Sequence, residues 1–571
     1  MDKRFFLALV LTALVILGPS FFLRPPPEAR DTTSLAPRPS PDEPASEAPT
    51  PVAPGAPATP AGDAAPPRTI DVRSIDTVPG QPARRLVGDT TVVTTPLATY
   101  RFSSLGASPT SIELRNYQAL GSGVENDAVE LIRPGDRALG LRVLAARDTI
   151  SLDTIPFALD RSTDEAGNEI LTYSASAGPL SVRLRYTIVP DNYLIHLDGD
   201  IRGFTPPAFL LIDLPRGLRS QEADTLDDHR HLAYVYKPRS DDATSITFDA
   251  LDPGTRRMVP GPHTWVATKT KYFLIGLLAP DDRNLFAELH VAGGPRISRV
   301  ATEAEATVVR TLTDGTFSVE TYAGPQEWRR LHAMGRDFEN VNPYGWRFLQ
   351  GVIQPFATIV MRVLLWMRDT LQINYGWILV IFGVAVRLLL WPLNQRAMRA
   401  SLQIQRLQPQ LAEVQKRHAN NPEKLREEMM KVYKEHGMSP LSPLMGCLPM
   451  LLPMPIFFAL FFVFQNTIEF RGVSFLWLPD ISLKDPLYVL PILMGASMFL
   501  LSYIGMRSAP PNPQTKLMTY IFPLMFTAIL FNFASGLNLY YFVQNMAAIP
   551  QQWLIARERS RAAPAPAVRP A

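Results

Sequence analysis

Arg387 carries most of the chemistry this sequence offers. It interrupts two uncharged runs, Thr370–Val386 and Leu388–Gln395. An arginine held at the centre of a bilayer costs about 2.5–3.5 kcal/mol on insertion scales, and less when shallower. At 1.5 Å per residue it lies roughly 9 Å from the expected cytoplasmic end of its span. No Asp or Glu occurs within the apolar runs, so the sequence shows no intramembrane counter-ion. Two outcomes remain open. The guanidinium snorkels to the inner headgroups, or it faces a water-filled groove open to the cytoplasm. Polar residues of other apolar runs suit such a groove: Gln544 and Asn545, with the hydroxyls of Tyr540 and Tyr541. Hydrogen bonds between helices are the alternative use of each. Gln465 and Asn466 are expected at the outer end and are not grouped with Arg387, while Gln552 is a further polar residue in apolar surroundings.

A second cluster, Asp227, Asp228, His229 and His231, has metal-ligating side chains. Such residues so close together on a polar loop are usually solvated, and no metal is expected. Gly-x-Ser-x-Gly, Walker and Cys-x-x-Cys patterns are absent from the segment that carries them. No catalytic set and no cofactor motif emerges, so the chain is not read as an enzyme. The single cysteine, Cys447, excludes a disulfide within one chain. A net charge of +3 suggests no nucleic-acid partner.

The elements that position these residues follow from charge and hydropathy. Mean hydropathy is +0.02, but charge is segregated: it fills the first two-thirds and leaves long uncharged runs in the last third. Asp2, Lys3 and Arg4 precede an apolar run from Phe5 to Leu23 with no small-x-small site after it. That pattern predicts an uncleaved anchor over 1–24 with its start in the cytoplasm. Residues 25–68 hold fourteen prolines and few large apolar groups, which predicts an extended tether. Residues 69–325 alternate with period two. Val182, Leu184, Tyr186 and Ile188 interleave with Arg183, Arg185 and Thr187, and Tyr193, Ile195 and Leu197 continue beyond a turn. Half-buried antiparallel strands with short turns predict an all-β sandwich, large enough for its own core.

The last third predicts five spans, about 374–394, 444–467, 486–505, 516–532 and 535–555, within a core over 370–556. The final two come from a forty-residue uncharged run, Leu517–Ala556, which Asn532, Ser535 and Gly536 can turn in its middle. Nine Lys or Arg between Arg396 and Lys434, and four in the tail 557–571, place both segments in the cytoplasm. With the anchor the total is six spans, both termini are cytoplasmic, and the β domain is outside. Residues 395–438 read as a helical hairpin broken at Asn420-Asn421-Pro422. In the connecting segment 326–369, Trp346, Leu349, Ile353, Phe356, Val360, Val363 and Met367 recur at helical spacing. They predict an amphipathic helix in the outer interface.

Several motifs in this order are specific. Asn374-Tyr375-Gly376-Trp377, Arg387 and Trp391-Pro392-Leu393 are followed by Leu407-Gln408-Pro409 and Glu428-Met429-Met430. Gly446-Cys447-Leu448-Pro449, Met454-Pro455-Ile456-Phe457 and Trp477-Leu478-Pro479-Asp480-Ile481-Ser482 come next. Asp485-Pro486, Leu490-Pro491-Ile492-Leu493-Met494-Gly495, Gly536-Leu537-Asn538-Leu539-Tyr540-Tyr541 and Gln551-Gln552 complete the series. Across about residues 324–556 the chain resembles the YidC family of the Oxa/Alb/YidC superfamily, of the Gram-negative type with a large periplasmic domain. Lys271-Tyr272-Phe273 and Trp265-Val266-Ala267 extend the likeness weakly into the β domain. The resemblance implies a periplasmic β-supersandwich, a five-helix core and membrane protein insertase and chaperone activity in the inner membrane. It implies nascent membrane proteins, the Sec translocon, the ribosome and the signal recognition pathway as partners, beside the lipid bilayer. It also implies that Arg387 lines a hydrophilic substrate groove. The chain departs from the family at Leu441-Ser442-Pro443, at Leu452-Pro453 and at Gly383. A small-solute transporter or a membrane assembly scaffold is the alternative; internal repeats, broken helices at matching positions and a cytoplasmic signalling domain are not evident in the sequence.

Overall fold

The computed structural model describes residues 68–70, 88–121, 123–124, 126–145, 148–296, 300–345, 349–418, 421–435, 454–506 and 513–562. The expected anchor, nearly all of the tether, the segment 436–453 and the tail beyond 562 lie outside the described residues. All of the described residues belong to one unit of the chain, Pro67–Ala571.

Period-two alternation becomes buried alternation. The strand Leu180–Ile188 turns Val182, Leu184, Tyr186 and Ile188 inward and Arg183 and Arg185 outward. It pairs antiparallel with Glu169–Ala177 on one side and Leu194–Arg202 on the other. Among the described residues the domain has a fifteen-stranded and a four-stranded sheet. The smaller sheet joins Thr90–Thr94, Ala98–Ser103, Ser108–Gln118 and Ala128–Glu130. The two share one core: Phe102 of the small sheet meets Tyr186 of the large one edge-on at 5.0 Å. Each Leu, Ile or Phe fully buried there contributes about 1.5–3 kcal/mol, which lets the domain stand without disulfides.

The described residues hold nine α-helices, the first of them within the β domain. They are α1 (Thr225–Arg230), α2 (Trp328–Ala333), α3 (Gln350–Leu371), α4 (Tyr375–Arg417), α5 (Pro422–Glu435), α6 (Met454–Asn466), α7 (Val489–Met506), α8 (Pro513–Leu530) and α9 (Ser535–Ala562). The amphipathic helix spans Gln350–Leu371, and Gly345, with a left-handed φ of 106°, lies before it. Residues 346–348, and with them Trp346, lie outside the described residues. Ile353, Val360 and Met367 of the expected stripe are buried on α3, whereas Phe356 is 41% exposed. Helix α4 is capped by Asn374, whose side-chain oxygen accepts from the Gly376 N–H at 2.7 Å. It then runs unbroken for 43 residues, so the expected span and the first arm of the hairpin are one rod about 65 Å long. The break falls at the predicted Asn-Pro: α5 starts at Pro422, and Leu407 and Leu411 pack with Tyr433 across the hairpin. Helix α9 packs against α4 and α7, and its start is seated by a loop: Ser535 and Gly536 donate to Leu483 O (2.7 Å) and Ile481 O (2.9 Å).

That loop, between α6 and α7, also meets the β domain. Arg471 Nε donates to both oxygens of Glu222 (2.9 and 2.8 Å), and its Nη2 donates to Gln118 O at 2.8 Å. Tyr272 of the Lys271-Tyr272-Phe273 motif places its hydroxyl 3.2 Å from Ser482. The carboxylates of the aspartate–histidine cluster belong to this junction: Asp227 pairs with Lys271 at 2.8 Å, and Asp228 accepts the Lys271 N–H at 3.0 Å. Both are therefore committed to cations and amides of the chain itself.

Glu469 lies in the same loop, with Oε2 buried and unpartnered among the described residues. Burial pushes its pKa from 4.5 up to about 7, and the nearby Glu327 carboxylate adds to the effect. Between roughly pH 4.5 and 7 the folded state therefore binds more protons than the unfolded one, and stability falls as pH rises through that window. Glu469→Gln is expected to melt higher than the parent at pH 8, the difference closing as pH falls to about 4, by thermal unfolding in detergent. A variant with the parent's pH slope would show that this carboxyl does not set it.

Candidate polar site around Arg387

Arg387 sits in the fourth turn of α4, about 18 Å along the axis from Tyr375. It is half-buried, and its partners are neutral. Nη2 donates to Gln551 Oε1 of α9 at 2.9 Å, and Gln551 Nε2 returns a bond to the Trp391 carbonyl at 3.2 Å. With its amide oxygen turned toward the guanidinium, Asn394 accepts from Nη1 at 2.8 Å and Nη2 at 3.3 Å. Among the described residues the buried Nε–H has no partner, and no carboxylate forms an ion pair with this arginine. Among the described residues, the cation is therefore held by amide dipoles and meets no counter-ion.

Helical geometry explains the selection. Arg387 and Asn394 are seven residues apart, two turns, on one face of α4. On α9, Tyr540, Gln544 and Gln551 share a face by the same rule. Gln544 Nε2 donates to the Tyr540 hydroxyl at 2.8 Å, and the Tyr540 ring lies 5.9 Å from Phe382 of α4. Gly383 lets the two backbones approach: a Cβ there would stand 3.2 Å from Val543. Tyr541 and Asn545 point elsewhere. Tyr541 packs edge-on against Phe457 of α6 at 5.1 Å, and Asn545 donates to Ser497 of α7 at 3.1 Å. Of the residues the sequence singles out, Tyr540 and Gln544 share the α4-facing side of α9 with Arg387's partner; Tyr541 and Asn545 join neighbouring helices. The direct partners, Gln551 and Asn394, do not stand out as site residues in the sequence; the signal for them is the seven-residue spacing, Arg387 to Asn394 and Gln544 to Gln551.

Gln551→Leu removes the acceptor that α9 offers the guanidinium among the described residues. Leaving a buried donor unmet costs about 1–3 kcal/mol. Denaturant or thermal unfolding in detergent should show that loss, and Gln551→Glu, which supplies a charge partner, should not show it.

Fold and site together define a helical membrane core with a cation held in a polar seam, joined to an extramembrane all-β sandwich. Residues 90–358 match the family model described as the YidC periplasmic domain, and residues 366–562 match that of the 60Kd inner membrane protein. A membrane protein insertase YidC of Prosthecochloris aestuarii is 31% identical over 413 residues, covering 68% of this chain and 69% of that one. Its counterpart in Chlorobium luteolum is 31% identical over 447 residues, covering 72% of each. A crystal structure of an active YidC insertase, with its first transmembrane domain resolved, aligns over 81% of this chain and 95% of that chain, at 18% identity and a TM-score of 0.31. The chain belongs to the YidC family of membrane protein insertases. It is an inner-membrane protein with a periplasmic β domain.

Proposed function

We propose that this insertase receives polar stretches of a nascent membrane protein at the Arg387 site, from the cytoplasmic side. The observation that carries the reading is a half-buried guanidinium with amide partners and no counter-ion among the described residues. Such a cation attracts an acidic stretch of substrate and binds it only transiently. A polar seam lowers the cost of moving charged groups and unpaired backbone through hydrocarbon. The apolar part of the substrate then passes into lipid, where burial at about 25 cal/mol per Å² drives release without nucleotide hydrolysis.

The arrangement proposed has six spans, counting the N-terminal anchor, with both termini cytoplasmic. Among the described residues two helical stretches, Gln350–Leu371 and Tyr375–Gln395, have the length and composition to cross a membrane. The first is read as interfacial because both of its ends hold to the same short segment beside the β domain. Gln354 bonds the Tyr344 N–H and Asn340, while Asp369 pairs with Arg329. A crossing helix would carry one of those ends to the far side. The α4–α5 hairpin, rich in Lys and Arg, is the proposed cytoplasmic surface for the ribosome or signal recognition pathway. The Sec translocon is the proposed lateral partner.

A photocrosslinking residue at Gln544 is expected to capture a stalled nascent membrane protein in proteoliposomes. The same probe at Leu524, on the exposed face of α8, should capture it several-fold less. Equal capture would reject the seam as the path.

A further inference from the structure

The loop between α6 and α7 carries large apolar side chains at its tips. Phe475 and Leu478 exchange both backbone hydrogen bonds at 2.9 Å, which closes a two-residue turn with Leu476 and Trp477 at its apex. Gly, Asn and Asp normally hold such positions. Here Leu476 takes a left-handed φ of 53° and is 68% exposed. A second tip repeats the pattern: Leu487 is 63% exposed, and the neighbouring Tyr488 has φ of 55° and is also exposed. A left-handed backbone is costly for a bulky residue, so the fold holds these side chains outward against local preference.

One carboxylate holds both tips. Asp485 is fully buried. Its Oδ1 accepts from the Trp477 indole N–H at 3.2 Å and from the Leu487 N–H at 3.0 Å, while Oδ2 accepts from the Leu490 N–H at 2.7 Å. The same residue thus caps α7, sets the second tip and satisfies the only polar atom of the Trp477 ring. That ring then has no need of water. Trp377, in the first turn of α4 and exposed, packs edge-on against Phe475 at 5.4 Å and extends the patch to a second helix.

Resting on the spanning arrangement proposed above, we infer that residues 475–488 are a membrane anchor, with Leu476, Trp477, Leu487 and Tyr488 inserted at the headgroup–acyl boundary of the outer leaflet. The patch is continuous with the outer ends of α4 and α7, where the lipid surface must lie. Tryptophan and tyrosine with one satisfied polar tip suit that boundary, and leucine suits the layer just beneath it. Asp485, placed by its bonds, is the residue that shapes the anchor.

The single cysteine allows a direct test. In a Cys447→Ser background, nitroxide labels are placed at Leu476→Cys or Leu487→Cys and the full chain is reconstituted in phosphatidylethanolamine–phosphatidylglycerol vesicles. Collision rates with oxygen and with a water-soluble nickel chelate report depth. Leu524→Cys, 73% exposed on α8, serves as the lipid control, and Asp160→Cys, on an exposed strand, as the water control. Both loop labels are expected to favour oxygen over nickel several-fold, as the lipid control does. Nickel collisions equal to those at Asp160→Cys would overturn the anchor. Low collisions with both reagents would mean that protein, such as a second copy, covers the loop, and would also overturn it. A wet Leu524→Cys would instead remove the spanning arrangement itself.

Discussion

Arg387→Ala is expected to slow insertion of substrates with acidic translocated tails by about tenfold to a hundredfold, and to change that of uncharged tails by less than about twofold. The range follows from hydrogen bonding to a charged group, about 1.5–3 kcal/mol, converted to a ratio of transient occupancies. Among the described residues the guanidinium has the neutral partners Gln551 and Asn394, which leaves its charge available to a substrate. Arg387→Lys should fall between: the charge stays, but a point ammonium cannot hold the two amides in the same fork. Reconstituted vesicles with a protease-protection readout check this. An equal loss for both tail types would mean that the arginine shapes the seam without steering charge.

The largest stability effect is expected at the junction of the β domain and the core. The side chains of Arg471 and Glu222 are only 5% and 8% exposed. Burial outweighs the adjacent guanidinium and holds the Glu222 carboxyl above its ordinary value, so forming this pair is expensive. Removing one partner leaves the other charge buried and alone. Arg471→Ala should therefore destabilise by about 3–5 kcal/mol, enough to lower Tm by about 10 °C. The paired change Glu222→Leu with Arg471→Met should be near neutral, since it removes both desolvation costs and keeps apolar volume. Scanning fluorimetry in detergent compares the three. A single variant within about 0.5 kcal/mol of the parent, as for an ordinary surface change, would show that the pair does not clamp the junction.

Much of this organisation was legible residue by residue. Alternation from Val182 to Ile188 became a buried strand face because a pleat reverses side chains at every step. Asn421-Pro422 ended one helix and began another because proline tolerates only the first turn. The charge of Arg387 within an apolar run is legible in the sequence as an outlier. The partners of that arginine were less legible. Gln551 is 164 positions away from it, and nothing local distinguishes it from Gln552. Grouping Asn545 with Gln544 was natural from adjacency, yet consecutive helical residues diverge by about 100°, which sends Asn545 to Ser497.

By itself the sequence determined what depends on short-range periodicity and charge: the strands, the helix breaks, the apolar runs and one cation among them. The tertiary structure alone decided what depends on rotation about helix axes and on contacts between distant segments. These are the Gln551 and Asn394 cradle, the Arg471–Glu222 pair and the loop that Asp485 holds. The physical reason is that hydropathy reports a side chain's preferred medium, whereas its partner is set by the packing angle of whole elements.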